Sequence, residues 1–558
     1  MSRVLVIGID GGTFDLVRPW AEAGDLPHIG RLMAGGVHGP LESTLPPVTA
    51  PAWTTFATGK NPGKHGVFDF IRPMGHGRFD LVNSSAIRAQ TLWQILSEAG
   101  RRVGVMNVPV TYPPVPVNGF VIGGMLSPTR RTGSEKIAYP ADLLDRYDQL
   151  PPYRVAPHVQ YKPGNEEAFV ADLLELVDLR GAYALQLMAD HPYDFLMFHF
   201  LSTDTIQHAF WKFVDSDHPR YDPQAAARFG DGIKRVYQRI DHYVGQMLDR
   251  LTDDTSVILM SDHGFGPLHY VVNLNLFLID KGLMYLKRDP WTRLKTGLFR
   301  AGVTPASIWH LIERTGLQNY VWQVSKSARN KVVSKFLSFD DVDWSRTVAY
   351  SIGHVGQIYV NLKGREPEGI VEPGEAYEQV RRQVIDALCE LRHPETKQPL
   401  VDVNAPHAGI IPGDEVTHGP YAAQGPDLHL VMDGYRTIVF PLFATDSKIV
   451  TRQIRGDSGC HRMHGIFIAW GPEIRSKAPA DVPLSNARIL DLAPTILHLL
   501  ELPVPGDMDG RVLTEVLSSG RPVEFREVGP DKEGVDAQLS AEETAEVEER
   551  LRDLGYLG

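Results

Sequence analysis

Cysteine is nearly missing from the chain: Cys389 and Cys460 are the only two in 558 residues. That excludes a disulfide framework and a thiolate metal cluster, so any metal would rest on oxygen and imidazole donors. A reducing cytoplasm is the expected compartment. Long apolar runs are also missing. No stretch approaches the roughly eighteen residues of a membrane span, and the apolar part of MSRVLVIGIDGG is too short for a signal peptide. No membrane segment is therefore expected. Blocks of basic residues are missing too, and the net charge is -12. That removes the electrostatic footprint of a nucleic-acid or anionic-membrane binder. An acidic chain that handles an anionic substrate needs a local positive centre, which metal ions could supply.

What is present is ordinary globular composition, 43% hydrophobic and 22% charged. The chain is too long for one simple core. Short apolar runs at 4–9 (VLVIGI), 103–108, 195–201 (FLMFHFL), 257–260 (VILM) and 466–470 (IFIAW) read as buried strands. Helical patterns lie between them, at 27–33, 91–99 and 167–188. The alternation predicts an α/β fold with a mostly parallel central sheet flanked by helices. The expected division is a catalytic core in two parts, 1–265 and 456–520, around a large inserted cap or lid at 266–455. The inserted part has an aromatic-rich helical stretch at 291–322 and a short strand at 357–362. A polar tail, 521–558, ends in a helix over 539–555. Ser540 and Glu543 form its capping box and Gly555 stands at the C′ position.

Acids and histidines gather where the predicted strands end. Asp10 follows the first run, Asp204 and His208 follow FLMFHFL four residues apart, and Asp262 and His263 follow VILM. Ligands of open α/β sheets bind beyond the carboxyl ends of the strands. His461, ahead of IFIAW, joins that edge only if its strand runs antiparallel. Singly, each residue reads as a turn former, helix cap or surface pair. Together, two sets of oxygen and imidazole donors suit two divalent ions, Zn2+ with Mn2+ as the alternative. Two such ions form the clamp used for in-line displacement at phosphorus.

The stretch LPPVTAPAWTTFATG, 45–59, then gains meaning. Pro51 suits a first helical turn and Gly59 a stop. Thr49 is thus placed at a helix N-terminus, either as a cap or, beside two metals, as a nucleophile.

VLVIGIDGG, TAPAWTTFATGKNPGKHGV, STDTIQH, SDHGF and CHRMHGIFIAWGP occur in that order between residues 4 and 472. In these segments the chain resembles the alkaline phosphatase superfamily. It is most similar to the type I phosphodiesterase/nucleotide pyrophosphatase branch and the phosphohydrolase/phosphomutase-like proteins near it. The resemblance implies an alkaline-phosphatase-like fold and a phosphoester hydrolase acting on a small molecule. It implies that Thr49 is transiently phosphorylated, that Asp10, Thr49, Asp262 and His263 hold one metal, and that Asp204, His208 and His461 hold the other. His464 competes with His461. Arg462, Lys60 and Lys64 are candidate contacts for a substrate anion, with solvated surface charge the alternative for the lysines. His65 reads as structural.

Two departures bear on specificity. The branch commonly has Asn three residues after the nucleophile and another after the His-Gly pair. Here Ala52 and Phe70 stand in those places, which weakens a nucleotide diester assignment. Sulfatases of the superfamily need Cys or Ser in a C/S-x-P-x-R pattern; Thr49-Ala50-Pro51-Ala52-Trp53 offers neither that residue nor the Arg. A dinucleotide fingerprint, a Walker A loop and a G-x-S-x-G elbow are all missing. The other readings are a phosphomutase using the same intermediate and an inactive binding protein on the same fold. Oligomeric state is left open.

Overall fold

Aliphatic runs without polar alternation form strands buried on both faces, and such strands make up the centre of the fold. A computed structural model describes residues 2–553, except 76, 129–136, 305–306, 309–335, 354, 402–408, 441–447, 454–455, 477–483, 485 and 529–538. Its main sheet contains β1 (Arg3–Ile9), β2 (Val37–Glu42), β3 (Val103–Met106), β4 (Gly119–Ile122), β5 (Ala138–Tyr139), β6 (Phe195–Phe200), β7 (Thr255–Met260), β8 (His464–Trp470) and β9 (Ala487–Arg488). Their spatial order is β9-β2-β8-β7-β1-β6-β3-β4-β5. The run β7-β1-β6-β3-β4 is parallel throughout. β8 is antiparallel to both neighbours, and β5 to β4. The mostly parallel sheet matches the sequence expectation, and the antiparallel β8 satisfies the condition set for His461.

Period-two alternation sends Leu5, Ile7 and Ile9 to one face, where they join a core formed with the helices Glu166–Asp190 and Gly232–Leu248. Val4 and Val6 face the other way, toward Trp53, Phe56 and the helix Leu492–Leu499. Two helices matter for the site: α1 (Thr49–Thr58) and α2 (Ser202–Val214). Gly59 ends α1 with a φ of 65°, and its N–H bonds the Thr55 carbonyl. Only glycine adopts that conformation without strain.

Between 266 and 455 the chain builds two smaller sheets. One joins Tyr270–Asn273 to Thr437–Phe440 and Val450–Arg452; the other has four strands, including Gln357–Val360. Their core includes Phe277, Ile358 and Leu430 and takes in Val48 and Ala50 from the start of α1. The helical stretch expected at 291–322 begins as the helix Pro290–Arg300; most of the remainder lies outside the described residues.

The C-terminal helix, α3 (Ala541–Asp553), starts with the expected capping box. The Ser540 N–H donates to Glu543 Oε2 (2.8 Å), and the Glu543 N–H donates to Ser540 Oγ (3.3 Å). Val547 and Leu551 are buried, the Tyr112 hydroxyl donates to Glu543 Oε1 (3.0 Å), and Arg550 Nη1 donates to the Ser127 carbonyl (2.5 Å). The helix is thus docked on the body. Gly555 lies outside the described residues. Among the described residues, no helix is long and apolar enough to cross a membrane.

Candidate active site

Asp10 leaves β1 and Asp262 leaves β7 at the same sheet edge, one strand apart. The loop after β1 is fixed by three bonds. Thr203 Oγ1 donates to the Asp10 carbonyl (2.6 Å), Gln207 Nε2 donates to the Gly11 carbonyl (2.9 Å), and the Gly11 N–H donates to Asp262 Oδ1 (3.2 Å). His263 Nε2 lies 3.2 Å from Asp262 Oδ2 and 3.6 Å from Asp10 Oδ1. Thr49 Oγ1 is 3.3 Å from the same nitrogen. Val48, not Thr49, is the α1 N-cap residue, and no side chain caps the helix. The Thr49 hydroxyl therefore faces the acid–histidine group instead of closing its own helix. Thr54 and Thr58 bond carbonyls one turn back. Thr55 meets His65, a buried structural pair.

The second group forms around Asp204 on the first turn of α2. His208 Nε2 and His461 Nε2 each lie 3.3 Å from Asp204 Oδ1, and 3.1 Å from one another. Gly459–Arg462 pairs antiparallel with Gly264–Pro267, which puts His461 opposite Phe265. His464 is exposed, so the structure brings His461 to this edge. His461 and His263 stack, with ring centroids 3.6 Å apart. The two groups are therefore contiguous. Asp10, Asp262 and His263 lie close enough to share an ion, as do Asp204, His263 and His461.

The electrostatics differ between the groups. Burial, followed by the charges of Asp262 and Asp204, pushes Asp10 well above the usual carboxylate range. Burial, then Asp204, raises Asp262. Burial also opposes charge on Asp204, but His208 and His461 outweigh it and hold that carboxyl low. Burial disfavours the charged form of His208; Asp204 and Asp457 outweigh that and raise it. Burial lowers His263 and His461.

These residues fit divalent ions on two observations. Buried Asp10 Oδ1 and Asp262 Oδ2 accept no hydrogen bond, although such groups are costly to leave unsatisfied. All three histidines also present Nδ1 to a backbone carbonyl: His263 to Gly264 (3.0 Å), His208 to Gly459 (3.2 Å) and His461 to Pro47 (2.8 Å). A carbonyl only accepts, so it holds a proton on Nδ1 and aims each Nε2 at the carboxylates, the nitrogen that would offer its lone pair to an ion. Carboxylate oxygens and imidazole Nε2 atoms gathered in this way suit a cation between them.

A sequence profile of the type I phosphodiesterase / nucleotide pyrophosphatase family matches residues 4–439. The chain belongs to that family. Membership makes it a phosphoric ester hydrolase, of a family that depends on divalent metals, and the two ligand groups accord with that. His461 lies beyond the matched span. The fold is similar to phosphonoacetate hydrolase from Sinorhizobium meliloti 1021 in complex with phosphonoacetate (TM-score 0.50, 13% identity, covering 90% of this chain and 95% of that one). It is also similar to human ectonucleotide pyrophosphatase / phosphodiesterase 5 (TM-score 0.48, 15% identity, 93% and 100%). An inactive murine counterpart in complex with AMP gives a TM-score of 0.47 at 16% identity, covering 93% of this chain and 100% of that one. No curated protein matches the sequence.

The three candidate anion contacts each have partners within the chain. Lys60 pairs with the Asp507 carboxylate. Lys64 Nζ lies 2.5 Å from Asp509 Oδ1 and donates to the Asp507 carbonyl (2.9 Å). Both charges are matched by the 507–509 loop, because a largely buried ammonium needs a carboxylate partner. Arg462 donates from Nη1 to the carbonyls of Tyr435, Cys460 and His461 (3.0, 3.2 and 2.9 Å) and from Nη2 to that of Pro267 (2.6 Å). It braces the ribbon that carries His461. Phe70 and Ala52 are buried in apolar cores.

Sequence reasoning missed the residues behind the ligands. His199 Nε2 lies 2.9 Å from Asp10 Oδ2, and Trp53 Nε1 donates to the same oxygen (3.2 Å). Burial holds His199 near pKa 3, so it is neutral and donates its N–H to Asp10. Its signal was the lone polar residue in FLMFHFL. Gly8, beside His199 in the sheet, makes room: a Cβ there would meet Trp53 Cη2 at 2.6 Å. Asp457 Oδ2, 3.4 Å from His208 Nδ1, carried no sequence signal.

Proposed function

We propose that this hydrolase cleaves a small organic phosphoester at a two-metal centre through a phospho-threonine intermediate on Thr49. The observation that carries the reading is the gathering of three carbonyl-anchored histidines and three buried aspartates in two contiguous groups, with the Thr49 hydroxyl 3.3 Å from His263 Nε2. Asp10, Asp262, His263 and Thr49 would hold one ion, and Asp204, His208 and His461 the other. When bound, the ions would supply Lewis-acid stabilisation and lower the pKa of an attached hydroxyl. Zn2+ and Mn2+ both suit these donors. The chain contributes position. α1 aims Thr49 at the phosphorus, and its free N-terminal N–H groups favour the anionic oxygens. His199 and Trp53 orient Asp10, and the carbonyls behind the histidines keep Nε2 aimed inward. The closed surroundings exclude bulk water. We also propose that 266–455 caps this site, since its core incorporates Val48 and Ala50 beside the nucleophile. Ala52 and Phe70 favour substrates other than nucleotide diesters.

The test is Thr49→Ala, assayed with metal content measured in parallel on aryl monoesters and diesters. A loss of turnover with both ions retained supports the reading; wild-type turnover on every ester overturns it. Acid-stable phosphate on wild-type Thr49 after quenching would identify the covalent step.

A further inference from the structure

We infer that the cavity beside His208 receives the leaving group of the phosphoester, and that the C-terminal helix α3 forms one of its walls. The inference rests on the two-metal phosphoester reading above. Of the seven proposed site residues, His208 is the most exposed at 9%; the others range from 0% to 3%. The opening toward solvent therefore lies on the His208 side, where a cavity of about 350 Å³ is lined by His208 itself, Val159, Tyr161, Phe169, Asp457 and Glu549. That is far more room than a phosphoryl group needs, and it falls in the size range of small-molecule sites.

Thr49 stands against His263 in the first ligand group. Displacement at phosphorus is in line, so the departing oxygen leaves on the side opposite the attacking hydroxyl. That side is the Asp204–His208–His461 group, and the cavity continues outward from it.

The walls define the chemistry. Tyr161 and Phe169 pack with ring centroids 5.5 Å apart. The 158–159 backbone beside them is pinned by Asp172, whose Oδ2 accepts the N–H groups of His158 (2.7 Å) and Val159 (2.9 Å). On the α3 wall, Arg550 is matched by Glu546 (2.9 Å). Apolar rings with carboxylates at the margin suit an uncharged, ring-sized organic group and disfavour a second phosphate. α3 lies beyond the 4–439 span matched by the family profile.

The experiment compares phenylphosphonate with methylphosphonate by calorimetry on the metal-loaded protein, for wild type and for two cavity-filling variants from separate lining segments, Val159→Trp and Glu549→Trp. Wild type should bind phenylphosphonate about tenfold more tightly or better. Both variants should lose that preference while keeping their affinity for methylphosphonate. Equal binding of the two ligands by wild type, or a preference that survives in both variants, overturns the subsite while leaving the phosphoester reading intact. Failure of both phosphonates to bind overturns both.

Discussion

On the Thr49 side of the centre, two buried aspartates face one neutral histidine, and both carboxyls are held above their ordinary range. On the His208 side, one aspartate faces two histidines; its carboxyl is held low and His208 is held high. The second group can thus keep its proton as an internal Asp204–His208 ion pair, whereas the first has no internal cation and, without one from outside, favours protonated carboxyls. The same sheet edge therefore carries one half that tolerates an empty state and one that is strained by it.

Removing a carboxylate from the dependent half should have the largest effect. Asp10→Asn is expected to lower kcat/KM on the order of a thousandfold and to remove one bound ion per chain. Full metal content with unchanged kinetics would take that half out of the chemistry. Next in size is a control outside both halves. Burial pushes Asp69 up to about 7, against hydrogen bonds from the Phe70 N–H and Gln357. A carboxyl raised on folding contributes stability that is intact below its unfolded pKa, near 3.8, and is lost as pH climbs to about 7. Wild type should lose roughly 1 kcal/mol per pH unit between pH 5 and 7. Asp69→Asn should lack that slope in thermal melts; parallel slopes would show that this carboxyl does not titrate there.

A smaller effect should separate the halves. Asp457→Asn removes the carboxylate behind His208 and should weaken one ion about ten- to a hundredfold, leaving the other unchanged in competitive metal titrations. Equal weakening of both ions would mean that the halves are not independent. The smallest effect has the opposite sign. In excess chelator, Asp262→Asn should melt about 1 °C above wild type, roughly 1 kcal/mol, because it relieves a buried carboxylate cluster while destroying activity. A lower melting point would show that Asp262 stabilises the metal-free fold.

Much of this was legible from local patterns. Strands buried on both faces announce themselves as short aliphatic runs, and sheet-edge chemistry places Asp10, Asp204 and Asp262 together. His461 could be assigned only conditionally, because strand direction is a tertiary property; the antiparallel β8 resolves it. His199 was visible as a polar interruption, but its partner was not, since Asp10 lies 189 residues away. Lys60 and Lys64 stayed open between a substrate contact and a surface charge, because a lysine near a nucleophile looks the same in sequence whether it meets a substrate or a distant loop. The position of α3 was equally hidden: its cap is written locally, its docking surface is not.

The order of the central sheet also constrains how the protein can be made. β8 lies between β2 and β7, yet it is synthesised some two hundred residues after β7. Until it emerges, β2 and β7 have no strand to join them, and each presents an unpaired edge to the surroundings. His461 arrives with the ribbon just ahead of that same strand. Joining β2 to β7 and completing the second ligand group thus both wait for residues 461–470, so full metal loading must follow synthesis of most of the chain.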